Sequence, residues 1–147
     1  MRKFVRHPSD FPADVRVLNE HQDSHSVQMK NISKGGMSCE VSVPIFAGSQ
    51  VEICVPSVSK ECFGCGEVAW CRPGRGHFQL GVRFGDAETA YRARMVEQIC
   101  QIEAYRRECE SREGRFLAPD QAAEEWIELY AEDFDNQFTA DDNGLRF

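Results

Sequence analysis

Two groups of residues near the start of the chain have side chains or backbone properties that could contact a ligand. Arg2 and Arg6 stand four apart in the opening MRKFVRHP, and the later stretch NISKGG contributes Asn31, Ser33, Gly35 and Gly36. A guanidinium group stays charged and presents its donors in a planar fork, while asparagine and serine supply short hydrogen-bonding groups. Glycine lets the backbone approach a ligand closely or take positive φ. Such residues suit the binding of a small polar ligand.

The middle of the chain offers a weaker candidate, a zinc site made of Cys62, Cys65, Cys71 and His77. Residues three apart on a regular strand point to opposite faces, so these residues could not share a metal without a bulge at Gly64 or Gly66. The other histidines are scattered, and no cysteine stands in a recognisable nucleophile setting. We therefore expect no metal, no cofactor and no enzymatic activity, with a zinc-binding module as a lesser alternative.

The net charge of −7 is divided unevenly along the 147 residues. Residues 1–88 contain ten Lys/Arg and ten Asp/Glu, whereas residues 89–147 contain seven Lys/Arg and fourteen Asp/Glu. A general affinity for nucleic acid needs a basic surface that releases counterions, and neither part has one. We expect no DNA or RNA partner, so the arginines at the start must serve something smaller.

The composition also bears on location. No stretch approaches the roughly 20 apolar residues that a membrane helix needs, and no apolar run follows the basic start as it would in a secretory signal. A cytoplasmic protein without membrane insertion is expected. Its seven cysteines are an odd number at irregular spacing, which predicts free thiols in a reducing compartment rather than a disulfide framework.

Apolar and polar residues alternate along the first part of the chain with the period of half-buried strands. Glycine and proline turn signals separate these segments, and no helical pattern intervenes. On the fifth segment, Val68 and Trp70 are expected to share one face. The pattern predicts a mainly β fold, a small six-stranded antiparallel barrel. Its segments contain Val15–Val17, Val27–Met29, Met37–Val43, Val51–Val55, Gly64–Cys71 and Phe78–Phe84.

After Asp86, which is predicted to be the N-cap, the apolar period becomes helical, and the helix should end near Gly114. A helix of that length is longer than a small barrel can cover, so part of it must project or find another partner. Pro119 is typical of the start of a second, shorter helix. The predicted apolar stripes are Tyr91, Met95, Ile99, Ile102, Tyr105 and Cys109 on the first helix, and Trp126, Ile127, Tyr130 and Phe134 on the second.

The order of the motifs on this strand pattern indicates a family. RxxxR at Arg2 and Arg6 is followed by a strand and then by NxSxxG, and the stretches GEVAW at 66–70 and LGVRF at 80–84 come later. In this order they resemble the PilZ domain family of bacterial cyclic di-GMP receptors, over roughly residues 2–88. The resemblance implies a PilZ-type β-barrel in a stand-alone receptor.

The resemblance also implies the ligand and how it is held. Cyclic di-GMP has two guanines and two phosphodiesters, which Arg2 and Arg6 would grip while the NISKGG residues hold a guanine at the barrel surface. Arginine suits this role because its fork pairs with guanine O6 and N7, stacks on a base and keeps its charge. Lys3 would add charge near the phosphates. Asn31 occupies a position where the family accepts Asp or Asn, and its amide lacks the charge of a carboxylate.

The predicted function is therefore a cyclic di-GMP receptor that relays ligand binding by conformational change to an unidentified downstream protein. A PilZ-like adaptor that works through protein contacts without nucleotide is the alternative. The predicted organisation is a barrel with its N-terminal arm at 1–88, an acidic helical extension at 89–134 and a mobile tail at 135–147. The long helix also offers a route to a homo-oligomer.

Overall fold

The computed structural model of the protein describes residues 11–19, 21 and 23–144, with side chains up to residue 134. Within these residues six strands are followed by two helices, as the sequence predicts. The helices are α1 (Ala87–Glu113) and α2 (Pro119–Gly144). The strands are β1 (Phe11–Val17), β2 (Ser24–Ile32), β3 (Gly36–Val41), β4 (Gln50–Cys54), β5 (Gly64–Pro73) and β6 (Phe78–Phe84).

The strands close into an antiparallel barrel in the order β1-β2-β3-β6-β5-β4. Successive side chains of a strand point to opposite faces, so alternate residues fill the interior and the others face outward. This confirms the predicted six-stranded antiparallel barrel. Closure pairs every strand on both sides and leaves no open sheet edge. The interior is apolar and includes Val15, Met29, Cys39, Ile53, Val68 and Leu80.

The prediction that Val68 and Trp70 share one face of β5 is wrong. The register between β5 and β6 shifts between these two residues, which indicates a bulge. A bulge adds one unpaired residue and so reverses the alternation beyond it. Val68 is buried inside the barrel, whereas Trp70 is only partly buried and pairs with Gly81, an outward-facing position of β6.

Helix α1 begins and ends where its capping residues predict. The Asp86 carboxylate accepts a hydrogen bond from the Thr89 backbone N–H at 2.7 Å, which confirms the N-cap. At the other end Gly114 adopts the left-handed conformation with φ of 65°, and its N–H donates to the Cys109 and Glu110 carbonyls. Glycine adopts this conformation without the steric cost of a Cβ atom.

The predicted apolar stripe of α1 is only half correct. Tyr91, Met95 and Ile99 are exposed, and the first half of the helix packs on the barrel through smaller side chains, chiefly Ala93 and Val96. The barrel approaches the helix closely here, since a Cβ built on Gly64 would lie 2.3 Å from Thr89 Cγ2. Helical period alone does not tell a face of large apolar residues from a face of small ones that permits this approach.

The second half of α1 finds its partner in α2. Trp126 and Phe134 of α2 pack with Tyr105 and Cys109 of α1 in a cluster separate from the barrel core. The rings of Trp126 and Phe134 meet edge to face, with centroids 5.1 Å apart. Ile127, predicted to lie in this stripe, is exposed. Neither described helix is long and apolar enough to cross a membrane.

Helix α2 is longer than the sequence predicts. It continues to Gly144, so residues 135–144 are helical, whereas the sequence predicts that the second helix ends near residue 134 and that a mobile tail follows. Extending an existing helix fixes one residue for each hydrogen bond gained, and this polar segment contains no proline that would stop it. The mobility of the segment stays a prediction.

The cysteines depart from the expectation that all seven thiols are free. Cys54 and Cys62 form a disulfide across the loop that joins β4 to β5. They face each other because the chain turns back after β4, where Phe63 N–H donates to the Ile53 carbonyl at 2.9 Å. The spacing of Cys54 and Cys62 in the sequence does not show that they face each other. Within the described residues, no group of three or more His, Cys, Asp or Glu side chains could hold a metal ion.

Candidate ligand-binding site

The NISKGG stretch contains the end of β2, the turn at residues 33–35 and the start of β3. Ser33 N–H donates to the Gly36 carbonyl at 2.9 Å and so closes the turn. Phe84 N–H, at the end of β6, donates to the Gly35 carbonyl at 2.9 Å. The turn is therefore held by main-chain bonds on both sides. It lies at the end of the barrel from which α1 departs.

Ser33 is fully buried within this turn. Its hydroxyl accepts a hydrogen bond from Gly35 N–H at 3.3 Å and donates one to the Gly36 carbonyl at 3.4 Å. Serine side chains stabilise turns by such local bonds to the backbone. Ser33 therefore positions the turn, and its direct contact with a ligand stays a prediction.

Asn31 lies at the outer surface of the barrel, one residue before the buried Ile32. The register between β2 and β3 shifts between Met29 and Asn31, and the Asn31 Nδ2 donates to Ser38 Oγ at 3.3 Å. This cross-strand bond fixes the orientation of the amide. An amide has two donor hydrogens and an acceptor oxygen, so Asn31 has the capacity to pair with the edge of a base as well.

Gly35 and Gly36 do not adopt positive φ, which is one of the two roles that the sequence suggests for them. The described glycines with positive φ are Gly48, Gly76 and Gly114. Gly36 instead begins β3, opposite Arg83 of β6. Close approach of a ligand to the backbone remains the predicted role of Gly35 and Gly36.

The three basic residues predicted at the N-terminus, Arg2, Lys3 and Arg6, lie outside the described residues. The described chain begins at Phe11, which pairs with Met29 of β2. The five residues from Phe11 back to Arg6 can span up to about 17 Å when extended. Ser33 follows Met29 by four residues, or about 14 Å of strand. The length of the arm is thus sufficient to bring Arg6 to the turn.

A row of outward-facing residues crosses four neighbouring strands beside the turn. Asn31 pairs with Ser38, Ser38 with Gly81, and Gly81 with Trp70. We call Asn31, Ser38, Gly81 and Trp70 the outer row. Adjacent strands lie about 4.8 Å apart, so the outer row extends about 14 Å from Asn31 to Trp70.

Sequence reasoning missed the outer row because the bulge in β5 hides the orientation of Trp70. The signal that could have found it is Gly81, a glycine inside an otherwise regular strand. A Cβ built on Gly81 would lie 2.1 Å from Trp70 Cε2, so the indole lies directly over this residue. Only glycine leaves that space.

The charges around the turn are mixed. Lys34 is exposed within it, and Lys30 Nζ lies 3.8 Å from Glu40 Oε1. Glu40 also lies 3.1 Å from the Nε2 atom of His77. Behind the turn, burial raises the pKa of the Cys39 thiol to about 12, so this cysteine is protonated at neutral pH and is not a nucleophile. The described side chains offer hydrogen bonding and positive charge here.

The fold is a closed six-stranded antiparallel barrel, and a helical hairpin follows its last strand. A family model described as the PilZ domain matches residues 1–101, which include all six strands and the first half of α1. The chain therefore belongs to the PilZ domain family. PilZ domains are ligand-binding receptor domains rather than catalytic ones.

Two solved structures are similar to this chain. One is the PilZ domain of YcgR from Escherichia coli with c-di-GMP, at 13% identity and a TM-score of 0.45, covering 74% of this chain and 92% of that one. The other is MrkH from K. pneumonia, at 13% identity and a TM-score of 0.47, covering 73% of this chain and 53% of that one. No curated protein matches the chain.

Proposed function

We propose that the protein is a cyclic di-GMP receptor that acts through a partner protein and has no catalytic activity of its own. In this proposal the N-terminal arm and the β2–β3 turn hold the nucleotide between them. The protein works in the cytoplasm and needs no cofactor or metal. The proposed ligand-binding residues are Arg2, Arg6, Asn31, Ser33, Gly35 and Gly36, with Lys3 adding charge near the phosphates.

The observation that carries the proposal is the fixed β2–β3 turn in a PilZ domain, at the barrel end that the N-terminal arm can reach. Next to the turn, at the end of β2, the Asn31 amide lies at the outer surface, and its donors and acceptor suit the edge of a guanine. Arg6 is within chain length of the turn and supplies the permanent charge that a phosphodiester requires. The NISKGG motif thus suits the binding of a base, and the N-terminal arginines suit the binding of phosphates and bases.

Calorimetric titration with cyclic di-GMP tests this proposal. The wild-type chain should bind, and Arg2→Ala and Arg6→Ala should each weaken binding at least tenfold, because a hydrogen bond to a charged group contributes about 1.5–3 kcal/mol. Arg16→Ala is the matched control, since Arg16 is an arginine of β1 paired with Glu52 on the barrel wall. Wild-type binding that both N-terminal variants retain would refute the site assignment.

The same titration separates receptor from adaptor. A PilZ-like adaptor that acts only through protein contacts would release no heat on addition of cyclic di-GMP while remaining folded. Metal analysis of the purified protein addresses the zinc-binding module, for which stoichiometric zinc would be required. Binding of the nucleotide without bound metal supports the receptor.

The proposed route of output is α1. This helix begins three residues after β6 ends, and β6 also holds the β2–β3 turn through Phe84. Tyr91, Met95 and Ile99 form an exposed apolar stripe on its first half, with Tyr91 66% exposed. A downstream protein that docks on this helix would sense nucleotide binding with a coupling of about 1–3 kcal/mol. Association of two copies through the long helix is the alternative, and light scattering with and without nucleotide distinguishes the two.

A further inference from the structure

Arg72 differs from most arginines of this chain in its surroundings. In the described part of the protein, only Arg72 and Arg75 have no carboxylate within ion-pair distance. Both are exposed: Arg72 lies near the end of β5, and Arg75 lies in the turn between β5 and β6. All the other described arginines have an acidic partner: Arg16, Arg83, Arg92, Arg94, Arg106, Arg107, Arg112 and Arg115.

The guanidinium of Arg72 lies over the outer row. Its backbone pairs with Gln79, two residues beyond the Trp70–Gly81 pair along the hairpin. Its guanidinium carbon nevertheless lies 4.4 Å from the centroid of the Trp70 ring. The side chain therefore turns back along β5, by about 7 Å of strand, toward the row that contains Asn31 and Ser38.

The indole of Trp70 holds the guanidinium in that place. Arginine stacks on tryptophan more favourably than on other rings, and a stacked guanidinium keeps its N–H donors at its edge. Gly81 permits the arrangement, because the Trp70 ring occupies the space of the missing side chain. Glu40, in the same cross-strand row as Gln79, has Lys30 Nζ at 3.8 Å as its ion-pair partner. The charge of Arg72 is thus presented at the surface rather than neutralised by the protein.

We propose that Arg72 is a further nucleotide-binding residue, which donates to a phosphodiester oxygen of the ligand, and that Trp70 is its positioning residue. The inference rests on the proposed function, since it assigns another contact to the same ligand. The outer row extends about 14 Å from Asn31 to Trp70, a span that a molecule with two bases and two phosphodiesters can bridge. A guanine held at Asn31 would leave a phosphodiester beside the Arg72 guanidinium.

Paired arginine variants test the assignment. Arg72→Ala should weaken cyclic di-GMP binding about tenfold in calorimetry, as expected for the loss of one charged hydrogen bond. Arg75→Ala removes the same charge three residues away, where no ring positions it, and should change the affinity less than twofold. Arg72→Lys keeps the charge but loses the planar stacked group, so its affinity should fall between those of wild type and Arg72→Ala.

Tryptophan fluorescence reports whether the nucleotide lies beside Trp70, which a purely structural role of Trp70 would not produce. The chain has two tryptophans, and Trp126 is buried in the α1–α2 cluster. Saturating nucleotide should change the emission of wild type and of Trp126→Phe, and the change should be absent in Trp70→Phe. Equal affinities of Arg72→Ala and wild type would overturn the inference and leave the proposed function standing. Absence of binding by wild type would overturn both.

Discussion

Replacement of Gly81 by alanine tests whether the outer row is packed as described. A Cβ atom at this position would lie 2.1 Å from Trp70 Cε2 and 2.3 Å from Trp70 Nε1, so the indole would have to move. Overpacking of this kind costs about 1–3 kcal/mol, and the better strand propensity of alanine returns about 0.5–1 kcal/mol. We expect Gly81→Ala to lower the free energy of unfolding by about 1–2 kcal/mol, measured by urea denaturation.

A double-mutant cycle with Trp70→Ala isolates the contact. Once the ring is absent, the added methyl group meets open space, so Gly81→Ala should stabilise the Trp70→Ala protein by about 0.5–1 kcal/mol. Gly66→Ala is the comparison, because its Cβ would lie 2.5 Å from the Arg83 carbonyl oxygen, a backbone atom that cannot move aside as a side chain can. Gly66→Ala should therefore lower the free energy of unfolding more than Gly81→Ala. The same destabilisation by Gly81→Ala in both backgrounds would refute the described packing of Trp70.

Three further predictions concern the turn, the helix cap and the thiols. Ser33→Ala should weaken nucleotide binding less than Arg6→Ala, because it removes neutral bonds within the turn, each contributing about 1 kcal/mol, and calorimetry will rank the two variants. The hydrogen bond from Thr89 lowers the pKa of Asp86 in the folded protein, so its contribution to stability is complete above the unfolded pKa and is lost as pH falls through the lower folded pKa. Thermal melts of Asp86→Asn should therefore lack the part of the acid destabilisation that wild type shows below about pH 4. Replacing Cys62 and Cys65 together with serine also opens the Cys54–Cys62 disulfide, but it should leave nucleotide binding unchanged because neither cysteine belongs to the proposed site. No zinc should co-purify with wild type, and stoichiometric zinc by elemental analysis would contradict this.

The strands and helix ends could be predicted because each depends on local pattern. Alternation at Phe78–Phe84 gives the strand directly, and Asp86 and Gly114 cap α1 by their own backbone and side-chain chemistry. The buried face of α1 could not be predicted in the same way. It depends on how closely the barrel lets the helix approach, and therefore on Gly64, which lies more than 20 residues away in sequence.

The sequence predicts the β2–β3 turn of the candidate site but not the residues around that turn. The NISKGG residues identify the β2–β3 turn because glycine, asparagine and serine have turn chemistry of their own. Trp70 and Arg72 were missed because a single bulge reverses the faces of β5 beyond Val68. The alternation of apolar and polar residues does not show where a bulge inserts an unpaired residue. The pairing of Trp70 with Gly81 is formed only when the strands close into the barrel.

Hydrogen exchange with and without cyclic di-GMP tests the central claim most directly, because it reports binding and its location together. At saturating nucleotide, exchange should slow strongly at residues 2–10 and at the β2–β3 turn, with a smaller change at the start of α1. The amides of α2 around Trp126, which packs with Tyr105 and Cys109 on the second half of α1, serve as the internal control and should not change. Unchanged exchange at residues 2–10 and at the turn under saturating nucleotide would contradict a cyclic di-GMP site formed by the N-terminal arm and the β2–β3 turn.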